Sequence, residues 1–139
     1  MPDTLARELT CVVVTPEKAV IDEPADFVAV PMFDGELGVL PGRAPLIGRL
    51  GYGELRIRRG TQTQRFFVDG GFVQVRANSV TVLTSRAQRA RDIDVNAVSQ
   101  TLHAALTPAS TPQAREAQLK TQERARAQLR IARHREERA

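Results

Sequence analysis

The chain has 139 residues, 42% of them apolar and 26% charged, enough for one globular domain and a small appendage. Aromatic residues make up 4% with no Trp, which leaves little for stacking bases, and the Cys11-Val12-Val13-Val14 run is far too short to span a bilayer. The net charge of +4 sits entirely in residues 113–139, which hold eight Lys/Arg against four Asp/Glu, while residues 1–112 balance at twelve of each.

Met1 to Glu8 carries acids where a signal peptide needs a basic and then an apolar region, so a cytosolic location is expected. Cys11 is a lone cysteine, which excludes an internal disulfide and, without clustered histidines, a structural zinc site. Leu9 to Thr15 and Ala19 to Asp22 alternate around Thr15-Pro16-Glu17-Lys18 and predict a hairpin, because Pro fixes its own φ and cannot donate to a ladder. Phe27 to Pro31 is a third strand, followed by the turn dipeptide Asp34-Gly35. Glu54 to Arg59 sets Leu55 and Ile57 on one face and charges on the other. Gln64 to Val68, Phe72 to Arg76 and Val80 to Thr84 follow, the last two turning at Ala77-Asn78-Ser79. Short strands with regular turn signals predict an antiparallel β-sandwich or barrel.

After Arg91 the period lengthens to about 3.6. Val95, Val98, Leu102, Ala105 and Leu106 share one helical face, with Asp94 placed to cap the first turn. Thr107 to Pro112 breaks the helix, and Gln113 to Arg138 forms a second of good helix formers, completing an α-helical hairpin. The stripe Ala114, Ala117, Thr121, Ala125, Leu129, Ala132 holds one large apolar side chain. At ~25 cal/mol per Å² buried, its docking is expected to contribute only a few kcal/mol, small enough for a partner to reverse.

His103 and His134 have no second ligand at helical spacing and read as ordinary surface or packing residues; no metal site is expected. Neither G-x-S-x-G, G-x-x-x-x-G-K-[ST] nor G-x-G-x-x-G occurs, and no nucleophile stands beside a base, so an enzyme is disfavoured. Composition and periodicity leave open a sandwich module whose basic helix grips nucleic acid or an acidic membrane, for which steep salt dependence is the mark.

The most distinctive stretch is Gly35-Glu36-Leu37-Gly38-Val39-Leu40-Pro41-Gly42-Arg43-Ala44-Pro45-Leu46-Ile47. Together with Gly53 to Ile57, Val68 to Val75, and Val80 to Thr84 followed by Asp92-Ile93-Asp94, it resembles the epsilon subunit of bacterial F-type ATP synthase, called delta in mitochondria. The motifs follow the family's order from Leu9 to about Val98. The resemblance implies a β-sandwich of about ten strands over residues 1–88 and a two-helix hairpin over 89–139. It further implies a non-catalytic rotor subunit without cofactor, coupling the c ring to gamma in a proton-translocating synthase. Such a subunit is peripheral to the cytoplasmic face of the inner membrane and does not bind nucleic acid.

Family positions carry over residue by residue as expectations. Glu36 matches an acid on a loop facing the c ring, and Arg43 stands where the family often has His, exchanging a titrating contact for a permanent cation. The second helix implies inhibition of ATP hydrolysis inside the alpha/beta hexamer, with Arg124, Arg126, Arg130 and Arg133, and beyond them Arg135 and Arg138, meeting acids on beta. Some relatives bind ATP through an I/L-D-x-x-R-A motif. Ile93 and Asp94 keep its first two positions, but Ala97 replaces the arginine and Val98 the alanine. Loss of that donor costs about 1.5–3 kcal/mol, so weak or absent ATP binding is expected.

Overall fold

The computed structural model describes residues 8–137, with side chains to residue 134. Strands β1 (Leu9–Val14), β2 (Ala19–Ala25), β3 (Phe27–Met32), β4 (Gly35–Val39), β5 (Leu46–Arg59), β6 (Gln62–Arg76), β7 (Ser79–Leu83) and β8 (Ala87–Arg89) lead through a 3₁₀ turn, Ala90–Asp92, to two helices. These are α1 (Val95–Ala105) and α2 (Pro112–Glu137). The hydrogen-bonded order is β2-β1-β7-β6-β5-β3-β4, with β8 beside β6. Among the described residues every pairing is antiparallel except β1 with β7.

One core gathers side chains from both ends of this order, Cys11, Val13 and Ile21 with Val28, Val30 and Val39. A continuous sheet brings its ends together only by folding over, and the two long strands carry the fold. In β5 the core-facing positions are Leu46 and Leu50, then Leu55 and Ile57; in β6 they are Phe66 and Val68, then Val73 and Val75. Alternation by two therefore reverses in both strands at one level, between the pairs Leu50–Gly71 and Tyr52–Asp69. Gly71 makes the reversal possible: its φ is +111°, and a Cβ there would lie 1.9 Å from the Leu83 carbonyl oxygen. Gly51 serves the same crossing from the other strand, since a Cβ would lie 2.9 Å from the carbonyl oxygen of Met32. Counted once per layer, β5 and β6 bring the eight strands to the ten expected.

The β1–β2 hairpin forms as expected, closed by the Thr15 N–H donating to the Lys18 carbonyl at 2.9 Å. Ala77 and Asn78 take φ of +50° and +62°, the paired positive values of a tight hairpin turn between β6 and β7. The expected Gln64–Val68 and Phe72–Arg76 strands are one element, and Glu36, expected on a loop, lies within β4. Leu106, expected on the buried stripe of the first helix, is half-exposed beyond its C-terminus, while Val95, Val98 and Leu102 are partly covered. Among the described residues no helix is long and apolar enough to cross a membrane.

Burial first, and the Glu23 charge second, push the Cys11 thiol up to about 12. A pKa raised on folding stabilises the fold below the unfolded thiol's pKa of about 8.5 and loses that contribution as pH climbs toward the folded value. Denaturant melts are therefore expected to show stability falling between about pH 9 and pH 12, with a shallower fall for Cys11→Val. An identical slope in the two proteins contradicts this.

Candidate functional site

The reversal in β5 and β6 gives the two halves of the fold different outer faces. In the half nearer β8 the outward row holds Tyr52 and Glu54 of β5 opposite Asp69 and Phe67 of β6. Phe67 is fully buried, although its neighbours Phe66 and Val68 point into the sandwich. What covers it is the second half of α2: Ala127, Ile131 and Ala132 pack on it together with Ala90 and Ile93. Burying Ile131 and Phe67 contributes about 1.5–3 kcal/mol each.

Polar contacts frame this seat. Arg124 Nε donates to Asp69 Oδ1 at 2.8 Å while its guanidinium carbon lies 5.0 Å from the Tyr52 ring centroid. The Asp69 hydrogen bond, as the largest cause, raises the Arg124 pKa further and fixes it as a cation. Gln128 Nε2 donates to Gln88 Oε1 at 3.0 Å, and His134 Nδ1 meets Glu54 Oε2 at 3.1 Å. Glu54 also receives Arg65 at 3.1 Å.

The hairpin closes on itself through glutamines. The last carbonyls of a helix lack partners within it; Gln122 Nε2 donates to the Ala105 carbonyl at 2.9 Å, and in the connection that follows Gln118 Nε2 donates to the Thr107 carbonyl at 2.6 Å. The covered face of α2 shares Ala125 and Ala132, both buried, with the stripe read from sequence but departs from it elsewhere. Ala114 and Ala117 are partly or fully exposed, and Ile131, absent from that stripe, is completely buried.

The basic helix divides. Arg124 is engaged with the sandwich, whereas Arg126, Arg130 and Arg133 are exposed on the opposite side. Arg126 Nη1 donates to Gln122 Oε1 at 3.4 Å. The Arg135 side chain and Arg138 lie outside the described residues.

Glu36 and Arg43 do not share a loop. Glu36 lies on β4, paired with Pro31 of β3, and its carboxylate accepts from Arg56 at 3.0 Å. Arg43 follows the strand in an exposed turn where its N–H donates to the Leu40 carbonyl at 3.2 Å, and extended chain at about 3.3 Å per residue separates the two. A neighbouring bond, Gly42 N–H to Asn78 Oδ1 at 2.8 Å, ties that turn to the β6–β7 hairpin.

Ile93 and Asp94 are also placed structurally. Ile93 is buried under α2, and Asp94 caps α1 by accepting from the Ala97 N–H at 3.1 Å. Ala97 lines a cleft of about 330 Å³ with Arg86, Gln88, Thr101 and Arg124, and its methyl group offers no donor there.

The other half of the fold has a bare outer face that the sequence reading missed. Its ladder aligns Val14, Leu83, Phe72 and Arg49 in one row and Val12, Thr81, Gln74 and Ile47 in the next. Ile47 is 75% exposed, Phe72 55% and Leu83 49%, and Arg49 stacks 4.9 Å over the exposed Phe33 ring. Phe72 and Ile47 have the opposite parity to Val73, Val75 and Leu46, which is the sequence signal for an apolar outer face.

Comparison with known proteins settles the family. The model for the ATP synthase delta/epsilon chain β-sandwich domain matches residues 8–90. An ATP synthase epsilon chain of Rhodopirellula baltica is 52% identical over 126 residues, covering 90% of this chain and 98% of that one. The chain belongs to the ATP synthase epsilon-chain family. It is accordingly a non-catalytic subunit of the synthase. An epsilon chain of Nitratidesulfovibrio vulgaris is 42% identical over 92 residues, 66% of this chain and 69% of its own. The fold is shared with a chain of the Euglena gracilis mitochondrial ATP synthase, with a TM-score of 0.76 at 23% identity over 88% of this chain and 82% of that one. A chain of the Tetrahymena thermophila mitochondrial central stalk and c ring gives 0.67 at 18% identity over 89% and 96%.

Proposed function

We propose that the chain is a rotor subunit of a proton-translocating ATP synthase, coupling the c ring to gamma during synthesis and restraining ATP hydrolysis through its C-terminal helices. In this reading residues 1–88 are the sandwich clamped into the central stalk and 89–139 the regulatory hairpin. The solved relatives lie in assemblies of F1, central stalk and c ring, which supports gamma, the c ring and the alpha/beta hexamer as partners. The subunit then sits peripherally on the cytoplasmic face of the inner membrane.

One observation carries the regulatory half: α2 rests on the sandwich through a small seat around Phe67 while Arg126, Arg130 and Arg133 face outward. A segment held by a few side chains is released by a partner with a preference of a few kcal/mol. The exposed arginines supply that preference toward acidic groups on the hexamer. The bare row of Leu83 and Phe72 we assign to gamma, since the hairpin occupies the outer face of the other half. Glu36 and Arg43 we assign to the c ring as separate contacts. ATP, if it meets the cleft beside Ala97, finds no arginine at the motif position and binds weakly.

Deleting residues 113–139 is expected to raise the ATPase rate of the assembled complex; an unchanged or lower rate contradicts the inhibitory role. Phe72→Glu places a charge in the bare row without touching the core and is expected to reduce co-purification with gamma at least tenfold, the size of a lost central contact. Undiminished co-purification removes the assignment of that face.

A further inference from the structure

The segment between β4 and β5 leaves the sheet, so its backbone groups must find partners elsewhere. Leu40 to Arg43 supply one themselves: the Arg43 N–H donates to the Leu40 carbonyl at 3.2 Å, with Pro41 second in the turn and Gly42 third at φ +88°. These are the residues and the angle of a type II turn, whose third position needs a positive φ. The closing bond does not use the Gly42 N–H. That group donates instead to Asn78 Oδ1 at 2.8 Å, 36 residues away on the β6–β7 turn. Asn78 is itself held: its φ is +62°, and its carbonyl accepts from the Thr10 N–H of β1 at 2.9 Å. The position therefore asks for two properties at once, tolerance of the left-handed region and a short side-chain acceptor. Glycine has only the first and serine only the second, while asparagine has both.

We propose that Asn78 is a positioning residue for the c-ring contact, acting through the turn that carries Arg43 so that this cation is presented in one orientation. Each turn forms without the other. Pro41 and Gly42 make the first with its own closing bond, and the Arg76–Ser79 pair of the β6–β7 ladder makes the second. What the Asn78 carboxamide adds is the placement of one turn against the other. Leu40 is 56% exposed and Arg43 is exposed beside it, so the first turn stands off the body with little packing to orient it. A loop oriented before binding loses less freedom on meeting a partner, and the difference appears as affinity. Orientation matters more for an arginine than for a compact cation, because a guanidinium bonds its acceptors in a directional fork. The β6–β7 turn thereby joins the face that Arg43 offers to the ring.

The proposal rests on the assignment of Arg43 to the c ring, and the clamp and its consequence are read separately. Asn78→Gly keeps the positive φ and removes the acceptor, so the β6–β7 turn survives; Asn78→Asp keeps both properties. In the isolated full chain, hydrogen exchange of the Gly42 amide is expected to quicken about two- to tenfold in Asn78→Gly, the range for one lost hydrogen bond. In Asn78→Asp it is expected to stay at the unaltered rate or below, with the ladder amides of β6 and β7 unchanged in both variants. Unchanged Gly42 exchange in Asn78→Gly overturns the clamp. For the consequence, the alpha/beta/gamma assembly carrying this chain is titrated with c rings in detergent. Arg43→Ala is expected to weaken binding, Asn78→Gly to weaken it about two- to tenfold, and the double variant to bind no more weakly than Arg43→Ala alone. Additive losses, or a loss in Arg43→Ala with none in Asn78→Gly, overturn the positioning role and leave the c-ring assignment standing. If Arg43→Ala binds as tightly as the unaltered chain, the assignment falls and the proposal with it.

Discussion

Everything functional in this molecule follows from the reversal of strand parity at Gly51 and Gly71. A strand has two faces and alternates between them, so a sheet that keeps one parity throughout buries one set and exposes the other. Here β5 and β6 exchange the sets midway, at the place where a Cβ on Gly71 would collide with the Leu83 carbonyl. One core is thereby enclosed between two layers, and two outer faces of unlike character result. One carries Phe67, Tyr52, Glu54 and Asp69 and seats the hairpin; the other carries Phe72, Leu83 and Ile47 and stays bare.

The seat is small by design of its composition. Three alanines, one isoleucine and the connecting Ile93 meet one phenylalanine, and the helix before Thr121 covers little of the sandwich. Hydrophobic burial of this size is comparable with the polar contacts around it, so neither dominates. That balance suits a regulatory arm on a rotating subunit. A large apolar interface would fuse the arm to the head, and a purely polar one would give way to salt.

Much of this was legible in the chain. Alternation marked most strands, the change of period at Arg91 marked the hairpin, and the ordered motifs from Gly35 onward marked the family. Continuity of β5 and β6 was hidden because the reversal breaks the alternation that identifies a strand; the glycines that permit it look like loop residues. β4 was hidden for a related reason, since Gly35 and Gly38 dilute its apolar signal. In α2 the stripe through Ala114 and Ala117 assumed one partner along the whole helix. The true contact begins near Arg124, and Ile131 lies seven residues beyond it, on the same face. Side-chain contacts across the docking contact, Arg124 to Asp69 and His134 to Glu54, join residues 55 and 80 apart in sequence and leave no local trace.

The most direct measurement places one dye on the outer side of α2 and another on the bare sheet face, and follows their separation in single molecules of the free chain. The buried Cys11 leaves introduced cysteines as the reactive thiols. Two populations are expected, the docked one dominant, with Phe67→Ala moving molecules toward the extended one. A single short distance that persists in the variant and at high salt would show the arm fused to the head, and the regulatory role argued from its weak seat would fail.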